Sequence, residues 1–158
     1  MAGKNKKKKQ GPGALATNRK ARHDYHILEE LEAGIVLSGT EVKSVKQGRI
    51  SIQEAYVNVD DRIEAWLVGA TIQPYEHGNV FNHPSVHDRK LLLHRREIAR
   101  LYGKMREKGL TIVPLKVYLV RGRVKIRIGL ARGKNVVDKR ETIKRRESDR
   151  DARRAMHR

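Results

Sequence analysis

Apolar and polar residues alternate most strictly where the chain approaches Gly129. Val124, Ile126, Ile128 and Leu130 fall on one side, and Arg123, Lys125 and Arg127 on the other. That period of two predicts a half-buried strand with a basic outer face. It stops at Arg132-Gly133-Lys134, and from Arg140 onward the chain is basic and poor in apolar residues. Upstream, Leu115, Val117 and Leu119 alternate with Lys116 and Tyr118, and Arg121-Gly122 turns this strand into the next. Ala55, Val57 and Val59 alternate with Tyr56, Asn58 and Asp60. After a turn at Asp60-Asp61, Ile63, Ala65 and Leu67 alternate with Glu64 and Trp66, which predicts a hairpin. Tyr25 to Leu37 reads as extended, with Tyr25, Ile27 and Glu29 on one face and a bend or bulge at Ala33-Gly34.

Two helices interrupt the strands. After the turn at Ser38-Gly39-Thr40, Thr40 is the expected N-cap of a short helix. Val42 and Val45 share a side of it, Glu41 complements its dipole, and Gly48 ends it. Ile98, Leu101, Tyr102 and Met105 follow i, i+3, i+4, i+7, so an amphipathic helix is predicted from Arg95 to Lys108, with Gly109 as its stop. Residues 73–88, with Pro74, Gly78 and Pro84, form a polar loop long enough to suggest function. In Leu91-Leu92-Leu93, extended alternation sends Leu92 opposite to its neighbours, between basic residues. The fold class expected is mainly β: a small OB-like antiparallel β-barrel with two or three flanking helices and disordered basic termini. The strand order is open at this point. The division expected is a tail over residues 1–16, a barrel over 17–132 and a basic arm over 133–158.

Charge sharpens this picture. The 158 residues carry a formal net charge of +18. Residues 1–22 hold eight Lys or Arg and no acid, residues 23–131 hold seventeen basic and thirteen acidic residues, and residues 132–158 hold eleven basic and five acidic. The excess therefore sits largely on two arms around a nearly balanced body, the layout of a protein that grips a polyanion by counterion release. The Lys run from Lys6 to Lys9 reads equally as polyanion contact or solubilising tail. The C-terminal arm has Ile143, Ala152, Ala155 and Met156 as its apolar residues after Asp138, too few for a continuous stripe. It is expected to be disordered when free and helical when bound, because its Arg, Lys and Glu content favours helix once a partner supplies contacts.

Candidate chemistry is sparse. With no cysteine, neither a disulfide nor a thiolate metal site is available. No secretory h-region and no membrane-length apolar run is present, so a cytoplasmic protein without membrane attachment is expected. His77, His83 and His87 share one loop, but Pro84 stands between the last two and no HExxH pattern accompanies them. A solvated loop is the better reading, with no metal and no cofactor. His23 and His26 flank Tyr25 beside a basic run and either stack on RNA or begin a strand. Glu29, Glu30 and Glu32 form an acidic cluster that reads as a solvated strand edge or as acceptors for base edges. No spacing supports catalysis. Seven scattered aromatics are too few for a stacking platform, which favours recognition of folded RNA by shape and backbone.

The ordered set Asn18-Arg19-Lys20-Ala21-Arg22-His23, Glu32-Ala33-Gly34, Gly39-Thr40-Glu41-Val42-Lys43-Ser44, Arg89-Lys90-Leu91-Leu92-Leu93 and Gly133-Lys134 with Asp138-Lys139-Arg140 resembles the small protein B family, the bacterial SsrA-binding proteins. The resemblance covers about residues 16–158. It implies an OB-like barrel with packed helices and no enzymatic activity. It implies binding to the tRNA-like domain of transfer-messenger RNA, and delivery with elongation factor Tu to stalled ribosomes as a monomer. There the tail enters the empty messenger channel near the decoding centre, and the nascent peptide is tagged for degradation. Carried over residue by residue, the RNA-facing positions are Asn18, Lys20, Arg22, Glu32, Glu41, Lys43, Arg89, Lys90, Leu92, His94 and Lys125. Lys134, Asp138, Lys139, Arg140 and Met156 would serve the ribosome. His94 stands where other members can have Asn, so an amide contact is not carried over. Val137 precedes Asp138 where some members have His, so a stacking contact there is lost.

Two other classes make different expectations. A structural ribosomal protein with basic tails would co-sediment stoichiometrically with subunits. A metal-dependent nuclease using the His77–His87 loop would cleave RNA and lose that activity to a chelator.

Overall fold

The alternation between residues 25 and 131 becomes a sheet that closes on itself. A computed structural model describes residues 14–77, 82–107, 109–134 and 136–156, with the backbone alone for 136–138. In chain order the elements are β1 (Ala14–Thr17), α1 (Arg19–Asp24), β2 (Tyr25–Ile35), α2 (Gly39–Lys46), β3 (Ile50–Ser51), β4 (Tyr56–Val59), β5 (Ala65–Val68), β6 (Thr71–Ile72), β7 (Arg89–Leu92), α3 (Arg95–Met105), β8 (Leu110–Val120), β9 (Arg123–Gly133) and α4 (Val136–Met156). The main sheet runs β1-β8-β4-β5-β7-β2-β9, and β9 also pairs with β8. Six strands therefore form a closed antiparallel ring. β8 has room for three partners because β4 meets it near its start, at Val57↔Ile112, while β1 meets it near its end, at Ala16↔Val117. β3 and β6 make a separate two-stranded piece.

Every ring strand turns its apolar side inward. Val57, Leu67, Leu91, Ile112, Ile126 and Ile128 are fully or almost fully buried in one core. The predicted inward set of β9 is buried apart from its first member: Val124 is half-buried, while Ile126, Ile128 and Leu130 are enclosed. Ring closure of this kind leaves few strand edges for unwanted pairing. Helix α3 adds Ile98 and Leu101 to the core, with Tyr102 and Met105 packed at its margin. Gly129 on β9 lies against the side chains of Leu115 and Ile27. A Cβ there would come within 2.9 Å of Leu115 Cδ1 and 3.1 Å of Ile27 Cγ2, so any side chain at this place would force the packing apart.

Several local readings need correction. Strand β1 takes Ala14 to Ala16 into the sheet, so the tail assigned to residues 1–16 ends before Ala14. The segment is too short for its periodicity to show. The bulge of β2 lies between Ile27 and Glu29, not at Ala33-Gly34. Strand β8 begins at Leu110, five residues before the stretch read as strand. Pro114 falls inside it, and the ladder accommodates the missing N–H with a register shift between Pro114 and Lys116. Ser38, not Thr40, caps α2: Ser38 Oγ accepts from Glu41 N–H, and Glu41 Oε1 accepts from Ser38 N–H, a reciprocal capping box. Helix α1 was missed; Asn18 caps it by accepting from Ala21 N–H at 3.1 Å. Helix α3 ends at Met105, and Gly109 follows at φ +83°. The turn at Arg121-Gly122 holds both residues at positive φ, 51° and 78°, which matches the twist of the flanking strands. The Lys run, Gly78 and Lys108 lie outside the described residues.

Residues 136–156, expected to order on a partner, are one helix here. Ile143 and Met156 are exposed on it, as its lack of an apolar stripe requires.

Candidate nucleic-acid interface

The site forms where β2 crosses between β7 and β9. Gly34 pairs with Leu92 on one side and with Lys125 on the other. A Cβ on Gly34 would stand 3.1 Å from Leu92 Cβ, a tight approach that would require Leu92 to shift by a few tenths of an ångström. Leu92 projects, 53% exposed, into a groove of about 420 Å³ that Glu32, His94 and Lys125 also line. A second recess, lined by Ile35, Leu37, Val42 and Val124 with Arg123 at its rim, shares Gly34, Leu92 and Lys125 with it. Four predicted RNA-facing residues thus converge. Together they offer a carboxylate acceptor for base N–H groups, an apolar surface for a base face, a cation for phosphate and an imidazole.

Tyr118 stands behind the groove, bonded to Glu32 and paired with Lys125, and was not singled out in the sequence. Its hydroxyl donates to Glu32 Oε2 at 2.5 Å. Burial, and then the neighbouring Glu32 carboxylate, push the Tyr118 hydroxyl up to about 12. It remains a donor at neutral pH and holds one oxygen of Glu32 in place, leaving the other for a ligand. The alternation had already put Tyr118 on the outward face with Lys116, and only the pairing Tyr118↔Lys125 brings it to the groove.

The remaining cations expected to face RNA at the surface have partners within the fold. Arg22 Nη2 lies 2.9 Å from Glu30 Oε1, and Arg127 Nη1 lies 3.6 Å from Glu30 Oε2. Lys20 contacts Glu54 at 2.9 Å, and Lys90 contacts Glu64 at 3.6 Å. Lys43 Nζ stands 5.3 Å from the centre of the Tyr75 ring. Exposed pairs of this kind contribute little to stability, so a phosphate can displace the acidic partner at low cost.

Three residues expected at the RNA surface are instead buried. Asn18 Nδ2 donates to Pro114 O at 2.9 Å and Ile52 O at 3.3 Å, while its Oδ1 caps α1. Glu41 and Arg89 are 2% and 1% exposed. Arg89 Nε donates to Glu41 Oε2 at 2.5 Å, and its remaining nitrogens donate to Ala70 O, His87 O and Ser85 O. His87 Nε2 lies 3.0 Å from Glu41 Oε2. Burial alone would raise the Glu41 carboxyl. The Ser38 N–H bond and the Arg89 guanidinium outweigh it and hold the carboxyl below its ordinary value. This pair ties α2, which carries Lys43, to β7, which carries Lys90 and Leu92. A charged residue type suggests a surface, and nothing in the local pattern of Glu41 or Arg89 reveals that the fold encloses both.

The loop histidines bond within the protein. His83 Nδ1 lies 2.9 Å from Thr40 Oγ1, and its Nε2 lies 3.1 Å from both Ile72 O and Gln73 O. The His77 ring meets Tyr75 edge-on.

At the root of the arm, Lys134 Nζ donates to Arg22 O at 3.1 Å and to Thr142 Oγ1 at 2.8 Å. Lys139 Nζ lies 3.4 Å from Asp24 Oδ1. Arg140 is exposed, and Met156 is 83% exposed at the far end of α4. The Asp138 side chain lies outside the described residues.

Comparison with known proteins agrees with this assembly. The family model described as SmpB protein matches residues 15–158. An SsrA-binding protein of Chloroflexus aurantiacus is 55% identical over 152 residues, covering 96% of this chain and 94% of its own. One of Ligilactobacillus salivarius is 53% identical over 150 residues, covering 95% and 96%. A solved chain described as "tmRNA-SmpB: a journey to the center of the bacterial ribosome" superimposes with a TM-score of 0.64 at 49% identity, covering 77% of this chain and 85% of that one.

Proposed function

This chain belongs to the SmpB protein family, and we propose that it does what its relatives' name says: it binds SsrA, the transfer-messenger RNA, in trans-translation and ribosome rescue. The observation that carries this reading is the groove in which Glu32, Leu92, His94 and Lys125 meet over Gly34. It joins base-reading groups to a phosphate-binding cation on one face of the sheet. The tRNA-like domain is the fitting substrate, because an exposed leucine and a carboxylate suit unstacked loop bases while Lys20, Arg22, Lys43, Lys90 and Lys125 suit the backbone.

The finer parts of the reading extend the same argument. The protein acts as a monomer in the cytoplasm and travels with elongation factor Tu. Lys134, Asp138, Lys139, Arg140 and Met156 act on the ribosome, with α4 entering the empty messenger channel near the decoding centre. The arm meets its ordering cost there, on arrival. Asn18, Glu41 and Arg89 contribute by holding the RNA-facing elements, not by touching RNA.

Equilibrium binding to the isolated tRNA-like domain, with an elongator tRNA as competitor at physiological salt, tests the RNA partner. Binding that excess tRNA fails to displace is expected. Equal, salt-labile binding to both would reduce the protein to a basic barrel with general polyanion affinity. Within the same assay, Lys125→Gln should weaken binding and lower the slope of log K against log salt by roughly 0.7 to 0.9, the loss of one phosphate contact. An unchanged slope would place Lys125 off the interface.

A further inference from the structure

Strand β2 keeps both of its neighbours only as far as Gly34. Its register with β9 ends at Gly34↔Lys125, whereas its hold on β7 continues through Ile35↔Leu91 and the Val36 N–H, which donates to Lys90 O at 2.9 Å. Past that point β9 pairs with β8 alone, through Leu119↔Val124 and Val120↔Arg123. The ring therefore opens a seam between residues 35–36 and residues 123–124. The recess in this seam has a volume of about 350 Å³, within the range of ligand pockets. Ile35, Leu37, Val42 and Val124 give it half-buried apolar walls, and no acidic residue lines it. The same face of β9 carries three cations. Arg127 is paired with Glu30 at 3.6 Å, whereas Arg123 and Lys125, which border the recess, have no ion pair among the described residues. Leu92 lines both the recess and the groove that holds Glu32, so one exposed leucine is the partition between two hollows.

From this geometry we propose that the recess is a second base site: one loop nucleotide of the bound RNA seats its unstacked base between Val42 and Val124, its neighbour lies in the groove beside Glu32, and Leu92 is the wedge between them. The inference rests on the RNA reading above and adds the occupant of the seam. An unstacked base has lost its apolar neighbours, and apolar walls replace them. An apolar side chain inserted at a base step keeps the two bases apart. The Arg123 guanidinium is planar and uncommitted, so it can cover a base face or meet the phosphate beside it. Cations at the rim with no acid in the wall suit a nucleotide better than a protein segment. The two hollows also differ in what they select. The groove has the Glu32 carboxylate, which accepts from base N–H groups and so depends on which base is present. The recess has no polar side chain other than Arg123 and Lys125. It takes a base by its face, and every base has one.

The test is a set of double-mutant cycles between the full-length protein and tRNA-like domains that each carry one abasic site at an unpaired loop nucleotide. Val42→Trp fills the recess. It should weaken binding of the intact RNA by about 5- to 150-fold, the worth of one stacked base. It should cost nothing further on the RNA that lacks the recess base, because the two changes remove the same contact. Arg123→Gln should couple to that same nucleotide. Leu92→Ala should couple to it and to the nucleotide next to it. Exchanging the recess base for another should stay within about twofold, since stacking is tolerant of base identity, whereas its removal should not. Should melting show that Val42→Trp has lost its fold, Val42→Ser takes its place, removing the apolar wall without adding volume. Intact RNA affinity in the filled or polar variant would overturn the proposal. So would losses that add fully to every abasic site, which would mean that α2 acts on the RNA from a distance. Unchanged RNA binding with failed tagging would assign the recess to a protein partner instead. Failure of the unsubstituted chain to prefer the tRNA-like domain over elongator tRNA would sink the proposed function itself; selective binding that ignores the recess variants sinks only the second base site.

Discussion

Replacing Glu41 with Gln should destabilise the protein by about 3–5 kcal/mol, the usual cost of leaving one member of a buried ion pair unpaired. Arg89 would keep its charge with its side chain fully enclosed, having lost the carboxylate 2.5 Å from its Nε. For a domain of this size the loss corresponds to a fall in Tm of roughly 6–20 °C. Lys20→Gln, which removes an exposed pair with Glu54, serves as the control and should leave Tm nearly unchanged. Denaturant unfolding would check the pair of variants. A Glu41→Gln cost below about 1 kcal/mol would mean that Arg89 finds water, contrary to the burial described here. The pH dependence has a defined sign. Glu41 is held below its ordinary value of 4.5 in the folded state. The unfolded chain therefore binds this proton first as pH falls, and the stabilisation is complete above the unfolded value. It is lost as pH drops from there through the depressed folded value. Glu41→Gln should lack this part of the acid sensitivity. RNA affinity should fall as well, although Glu41 touches no RNA in our reading, because Lys43 on α2 and Leu92 on β7 lose their common anchor.

Truncation after Arg132 should abolish tagging on stalled ribosomes and leave binding to the tRNA-like domain within about twofold at physiological salt, the scatter of a change remote from an interface. The groove residues Glu32, Leu92, His94 and Lys125 all precede the cut, and so do the strands that position them except Gly133, the last residue of β9. What is removed is α4 with its root contacts to Arg22 and Asp24. Low-salt binding will weaken more, since the removed segment carries an excess of basic residues. The checks are a competition assay and a translation reaction on messenger lacking a stop codon. A truncated protein that still supports tagging would show that the arm has another purpose.

The sequence alone determined the strands of the ring where their sides differ in polarity. Residues 123–130 and 55–67 declare themselves because one face must be dry and the other wet, and period two is the only spacing that does this in extended chain. The same logic exposed Leu92 and gave α3 its inward stripe. Charge distribution separated the body from its arms, and the ordered motifs pointed to an RNA-binding family. Only the tertiary structure decided the rest. Pairing of β9 with both β2 and β8 closes the ring, and closure depends on contacts far apart in sequence. Ala14 to Ala16 became strand because β8 supplied an edge, and Leu110 to Pro114 did so because a bulge excused the proline. Asn18, Glu41 and Arg89 read as surface residues and are interior ones. A polar side chain carries no local mark of whether it will meet solvent or the carbonyls and counter-charge that permit its burial. That distinction belongs to the groups brought around it, here by α2 and β7 folding against each other, and it separates the residues that can face RNA from those that hold them in place.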